Sequence, residues 1–417
     1  MRCLIYCILG LGCLVSPFSV YRSFAADRFR TDINPALLYW QAWAQIPELS
    51  ESDRGFLFTN DWRGKVLTTR IGDLLSRYDN LFKLVGRAGK AQVPCVWGYD
   101  MSDGPEVLLP GLAKAKSVAE VARLRVAWHL QQSNQAAARD EWLAAFKLGR
   151  NLATDRILIS ALVQISIETI CLNTIVDNFP RFQKETLSEL VAGIETSPPR
   201  GTIADCIPTE RDSMYGWLRL KIADLTAESK SNEQALEKAK LLLQLIVSTP
   251  DQPKPEWGNQ VLAAAGGSME GLTRYLDQLM PLYQELDHIL RLPSPDALDQ
   301  IKGFNQRIEK HPNLIAREFL GVFQNSLSKE IAASVKIAMF KAAVAYTQRG
   351  KAGLETILDP TTKAPFMFEP FVFQQTLRGF QLRSDFSFGG FPGVLIFAEK
   401  DGPGFYAYGK EAGKPLK

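Results

Sequence analysis

Residues 156–176 read RILISALVQISIETICLNTIV, a stretch apolar on nearly every side of a helical wheel. A helix without a polar face must be covered all round, either by lipid or by other helices. Gln164, Glu168 and Asn173 interrupt the run, and such groups are costly in hydrocarbon. The stretch is therefore expected at the centre of a helical bundle, with Thr154 or Asp155 as its N-cap. On that placement Glu168 is a carboxylate withdrawn from water. Such a group can act as a catalytic acid if burial raises its pKa, or be held by a structural partner, and no partner is visible in the local sequence.

Covering this helix needs amphipathic neighbours. Val118, Ala122, Val126 and Leu130 stripe one helix, and Ala138, Trp142, Ala145 and Leu148 stripe the next, with QQSNQA as the turn between them. The hairpin 118–152 is expected to pack on 156–176 with Trp142 inward. Ser133, Ala138, Trp142 and Ala145 follow the order of the second half of a tetratricopeptide repeat, but there is no clear second copy at a 34-residue period, which favours an isolated hairpin. Further helices are expected over 34–49, with Tyr39, Trp40 and Trp43 on its aromatic face, and over 71–85. After the SPPRG break at 197–201, Pro208-Thr209 restarts a helix with Thr209 as N-cap and Asp212 in the capping-box position. Residues 298–350 are helical again, with Gly350 as C-cap.

The period changes after that. FMFEPFVFQ, GFQLRSDF, GVLIFAEK and FYAYG are short, aromatic and roughly alternating, with EKDGPG as the turn between the last two. The fold class is thus mainly α, helical hairpins weakly like tetratricopeptide repeats, with a small antiparallel β appendage at the C-terminus. The organisation is a leader over 1–25, a helical domain over 26–247, a Pro/Gly-rich linker or loop over 248–271, a helical segment over 272–350 and a β-rich region over 351–417.

The leader reads as an export signal: Arg2 supplies a basic start, 4–15 is uncharged and apolar, and Ser23-Phe24-Ala25 offers small residues at a cleavage site. Cleavage after Ala25 leaves a periplasmic or extracellular protein without a membrane span, while Pro17, Ser16 and Ser19 argue against a retained anchor. The leader takes three of six cysteines with it. Cys95, Cys171 and Cys206 remain, an odd and widely spaced set with no metal-ligand spacing, in which Cys95–Cys206 is the favoured pair if one bridge forms. Removing Arg2 and Arg22 leaves 46 basic residues against 45 acidic, which disfavours nucleic acid as a partner.

NPALLYWQAW, PCVWGYDMSDGPEVLLPGLAKAKSVAEVARLRV, AARDEWLAAFKLGRNLATDRILISALVQISIE and IPTERDSMYGWL together resemble a group of uncharacterised exported helical proteins of planctomycetes, acidobacteria and verrucomicrobia, over about residues 34–220. The most specific stretch is the Cys-x-Trp-Gly-x-Asp loop leading into Leu-Pro. DPTTKAPFMFE is similar to the Asp-Pro-rich ending of the same group and, more loosely, of pseudopilins, though TTKA stands where those have a glycine. The resemblance implies an envelope location and a helical fold, and carries no activity.

CVWGYDMSDGPE, residues 95–106, is the densest cluster of reactive side chains. Its acids lack the alternate-position spacing of a calcium loop, Gly104-Pro105 stiffens the backbone, and Cys95 has no nearby base. It is expected to be architectural, with Trp97 and Val96 plugging the core and the acids facing water or backbone N–H groups. Serine-hydrolase elbows, phosphate loops and dinucleotide fingerprints are missing, and His129, His288 and His311 lie far apart. No cofactor or metal is implied. Two functions stand: a non-catalytic helical protein that binds a protein or peptide partner in the envelope, or a hydrolase of an envelope polymer with Asp100, Glu106 or Glu168 as paired carboxylates. Two facing carboxylates in a deep pocket would favour the second; an open groove of apolar and mixed-charge residues would favour the first.

Overall fold

The computed structural model describes residues 32–59, 62, 65–248, 253–399 and 404–416; the expected leader lies outside them. The first helices are α1 (Pro35–Trp43), α2 (Glu51–Phe58), α3 (Thr69–Ser76) and α4 (Asp79–Gly89). The hairpin follows as α5 (Gly111–Gln131) and α6 (Gln135–Leu152), then α7 (Leu158–Asn178), α8 (Lys184–Glu195) and α9 (Ile203–Arg211). A second run comprises α10 (Trp217–Glu228), α11 (Asn232–Leu245), α12 (Trp257–Ala264), α13 (Met269–Asp277), α14 (Leu279–Leu290), α15 (Ser294–Glu309) and α16 (Leu314–Phe319). The long α17 (Phe323–Arg349) and short α18 (Lys351–Leu354) lead to the sheet. The protein is mainly α with a small C-terminal antiparallel sheet, as the sequence periods require.

Helix α7 is central because it has no face to give to water: α5, α6, α9 and α17 all pack against it. The span 158–181 has the length and hydropathy of a membrane helix, and here most of it is covered by those neighbours. The α5–α6 hairpin closes through Ser133, whose φ of 59° makes the tight turn. Trp142 faces inward as expected: it is 1% exposed, stacks on Phe146 at 5.0 Å and donates its indole N–H to the Cys171 carbonyl at 2.7 Å. At Gly149 a Cβ would come within 2.9 Å of Ile167 Cγ2, so glycine lets α6 approach α7 closely.

Several helix boundaries differ from the sequence reading. The expected helix 34–49 ends at Trp43, and 71–85 is two helices that break at Arg77-Tyr78. Thr154 and Asp155 do not cap α7. Thr154 Oγ1 bonds the Cys95 and Asn151 carbonyls instead, Arg156 turns the chain with φ 57°, and the free N–H of Leu158 is capped by Glu210 Oε1 at 2.8 Å. Thr209-Asp212 loses to the same Thr-x-x-Asp pattern seven residues earlier, where Thr202 and Asp205 form the capping box of α9. Pro208 then sits inside the helix, where it cannot donate to the Ala204 carbonyl, which accepts from Arg291 Nη2 at 3.4 Å instead; a π turn over Asp212–Gly216 follows. Within the Pro/Gly-rich stretch 248–271, α12 forms and packs on α11 with Trp257 buried.

The sheet has the order β1 (Met367–Phe373), β2 (Thr376–Phe388), β3 (Phe391–Ala398), all antiparallel. Gln374 and Gln375, both with positive φ, make the first hairpin turn, and Gly389-Gly390 the second. Pro370 is tolerated because β1 is an edge strand. FYAYG is not a fourth named strand: Phe405 forms one isolated bridge with Pro415, and the Ala407 carbonyl accepts from Ile396 N at 2.9 Å. EKDGPG runs into residues 400–403, outside the described ones. The sheet docks through aromatics, with Phe179 at 4.8 Å from Phe397 and Tyr346 of α17 at 4.9 Å from Phe380.

Candidate functional site

The loop 95–106 is held from three sides. Asn34, the N-cap of α1, bonds both the N–H and the carbonyl of Val96, at 3.0 and 2.6 Å. Trp97 stacks between Trp43 (5.3 Å) and Tyr39 (5.7 Å) and donates to the Asn151 carbonyl at 2.7 Å. Gly104, with φ +59°, lies so close to Trp217 that a Cβ would fall 2.4 Å from its ring, and Trp217 Nε1 bonds the Ser102 carbonyl at 2.9 Å. Val96 does not plug the core: its side chain is exposed, and only its backbone is used. Asp100 is exposed and accepts the Ser102 N–H at 2.9 Å, a bond that lowers its pKa. Asp103 and Glu106 are exposed as well.

Glu168 is fully buried and far more strongly partnered than its local sequence suggests. Arg150 Nε lies 2.6 Å from Oε1 and Arg200 Nη2 3.0 Å from Oε2. The contacts are ionic and do not have directed hydrogen-bond geometry. Burial pushes the Arg150 pKa down, against the raising effect of Glu168. Arg200 comes from the SPPRG break and also reaches the Glu330 carbonyl (3.2 Å) and Ser334 on α17, so the cluster ties α6, α7, the break and α17 together. Glu330 in turn caps α9 through the Ile203 N–H at 2.6 Å, and burial raises its pKa. Asp100, Glu106 and Glu168 are therefore not brought to one site, and Glu168 is neutralised in place.

Cys95, Cys171 and Cys206 are free and buried, so the favoured Cys95–Cys206 bridge is not formed. Cys206 Sγ donates to the Thr202 carbonyl at 3.3 Å, while burial pushes the Cys95 thiol up to about 12 and raises the other two. None is a ready nucleophile. Among the described residues no group of three His, Cys, Asp or Glu side chains could hold a metal ion.

Among the hollows with room for another molecule is a groove between α4 and α6, about 550 Å³. Phe82, Leu143 and Ala144 form its floor, and Gly86 leaves it open, since a Cβ there would meet nothing within 4 Å. Lys83, Arg87 and Lys90 line one wall and Lys147 the other. At one end Arg125 binds Glu141 through Nε at 2.8 Å and Asp79 through Nη1 at 2.9 Å, with His129 Nε2 3.2 Å from Glu141. Burial would raise the Glu141 pKa, but His129 and Arg125 outweigh it and hold the carboxyl low. Gly89, Lys90 and Lys147 also line a second hollow of about 820 Å³ that continues past Cys95 and Asp155 to Pro198-Pro199, so the groove runs on to the loop 91–96. The K-x-x-x-R-x-x-K spacing of α4 was present in the sequence; its meeting with Lys147, 57 positions later, was not legible there. No protein-family model, curated protein or solved structure matches the chain.

Proposed function

We propose that this is an exported, non-catalytic helical protein that holds a protein or peptide partner of the cell envelope in the groove between α4 and α6. The observation that carries the proposal is the groove itself: an apolar floor, an open top and walls of mixed charge suit a docked chain. The hydrolase reading needs two facing carboxylates at one cleft, and Asp100 and Glu106 stand exposed on a loop while Glu168 is buried between two arginines. Export rests on the leader pattern and on the likeness to exported helical proteins. Sequencing the N-terminus of natively expressed protein tests it, with a start at Ala26 or Asp27 expected and an intact Met1 in a membrane fraction contradicting it.

The groove is tested by placing a photo-crosslinking residue at position 86. Gly303, a second helical glycine with open space around it, is the matched control. A discrete adduct from position 86 in the native host, absent from position 303, supports docking. No adduct from 86, or the same adducts from both, removes the groove as a binding site.

A further inference from the structure

The groove carries a local charge that the near-neutral chain conceals. Lys83 and Arg87 of α4 and Lys90, its C-cap, are spaced four and three apart along one helical face. All three are exposed and line the same groove as Phe82 and Leu143, with Lys147 contributed from α6. None of these four cations has an ion-pair partner among the described residues. The groove's own carboxylates cannot serve them. Asp79 and Glu141 are taken by Arg125, and Asp140 by Arg139 at 2.8 Å. Lys147 bears a cost from this arrangement, since burial and the charge of Lys90 both lower its pKa. Four cations without an ion-pair partner among the described residues thus line a groove with an apolar base.

We infer that the occupant of the groove is an acidic peptide segment, bound in extended form with carboxylates at alternate positions. The inference rests on the groove being the partner site. Along α4 the cations climb in steps of about 6 and 4.5 Å, at ~1.5 Å of rise per residue. Alternate side chains of an extended peptide lie ~6.6 Å apart on one face, close enough for long Lys and Arg side chains to meet them in turn. The intervening side chains point the other way, onto Phe82, Leu143 and Ala144. This division separates a peptide from an anionic polysaccharide or polyphosphate, which would meet the cations but bring nothing to fill the apolar floor. The acidic pairs at the Arg125 end limit the favourable stretch to the middle of the groove, where the cations are unmatched.

The test uses the full exported chain and a fluorescein-labelled octapeptide of alternating Glu and Val, followed by fluorescence anisotropy. A Gln/Val octapeptide is the neutral control and the variant Lys83→Glu/Arg87→Glu the charge reversal. Both positions are exposed, so the fold is expected to persist, and circular dichroism checks it. The Glu/Val peptide should bind at least ~10-fold more tightly than its neutral twin, weaken as salt is raised and lose that advantage in the reversed variant. Equal binding of the two peptides overturns the inference. So does a groove that takes dextran sulfate or polyphosphate but not the Glu/Val peptide. The two levels of the proposal separate cleanly: an adduct from position 86 that survives Lys83→Glu/Arg87→Glu keeps the groove but refutes the acidic occupant, whereas no adduct from position 86 refutes the groove itself.

Discussion

The indole N–H of Trp97 reaches across 54 residues of sequence to the Asn151 carbonyl at 2.7 Å, and Asn151 in turn bonds the Tyr39 hydroxyl at 2.9 Å through its side-chain amide. One residue of a surface loop thus joins α1 to the end of α6. Trp97→Ala removes the ring stacked on Tyr39 and Trp43 and should lower stability by ~3–5 kcal/mol in urea unfolding. Trp97→Phe keeps most of the packing and should lose only about 1 kcal/mol, because the Thr154 hydroxyl, shared between the Cys95 and Asn151 carbonyls, can turn its one proton to Asn151. An unaltered midpoint for Trp97→Ala would show that the loop does not brace the core.

A second consequence follows from the burial of Glu168 between Arg150 and Arg200. Glu168→Gln strands two cations away from water and should destabilise the protein by ~3–5 kcal/mol. In that background Arg150→Met should cost much less than it does alone, since it then removes a stranded charge. Additive costs in this double-mutant cycle would contradict a coupled ionic cluster.

Glu210 works in the opposite sense. Burial raises its pKa above the ordinary 4.5, and the Leu158 N–H bond only partly offsets this. Ionisation is therefore harder in the folded chain: the penalty is absent below the unfolded pKa, grows as pH climbs through the interval above 4.5, and is complete above the folded pKa. Glu210→Gln retains an oxygen to cap α7 and removes the charge. It should raise the urea midpoint at pH 7 and leave it unchanged at pH 3; a loss of stability at pH 7 would show that the charge, and not the oxygen, is what the cap requires.

The thiols give a simple chemical check. With Cys95, Cys171 and Cys206 all buried, unpaired and raised in pKa, iodoacetamide should label none of them in the native protein and all three after unfolding in denaturant. A mobility shift between reduced and unreduced samples would mean that a bridge forms.

The fold was legible where one local pattern stood alone. The apolar stretch 156–176, the striped hairpin and the switch to a two-residue period near 367 each carry one strong period, and each forms the element that period requires. Boundaries failed where two local signals competed, as at Thr202-x-x-Asp205 against Thr209-x-x-Asp212, or where a tertiary partner replaced the local one, as Glu210 does at the start of α7. The site was least legible. Arg150 and Arg200 reach Glu168 from 18 and 32 positions away, and the groove depends on Lys147 facing a stripe on α4. A whole-chain charge near zero hid that stripe.

The central claim is that function lies in the groove and that the carboxylates of the loop are architectural. Its most direct measurement is the adduct yield from a crosslinker at position 86, compared between the unmodified chain, the loop variant Asp100→Asn/Asp103→Asn/Glu106→Gln and the groove variant Lys83→Glu/Arg87→Glu, with folding checked by circular dichroism. The loop variant should give the unmodified yield and the groove variant little or none. A yield lost in the folded loop variant and kept in the groove variant would contradict the claim and place the function at residues 95–106.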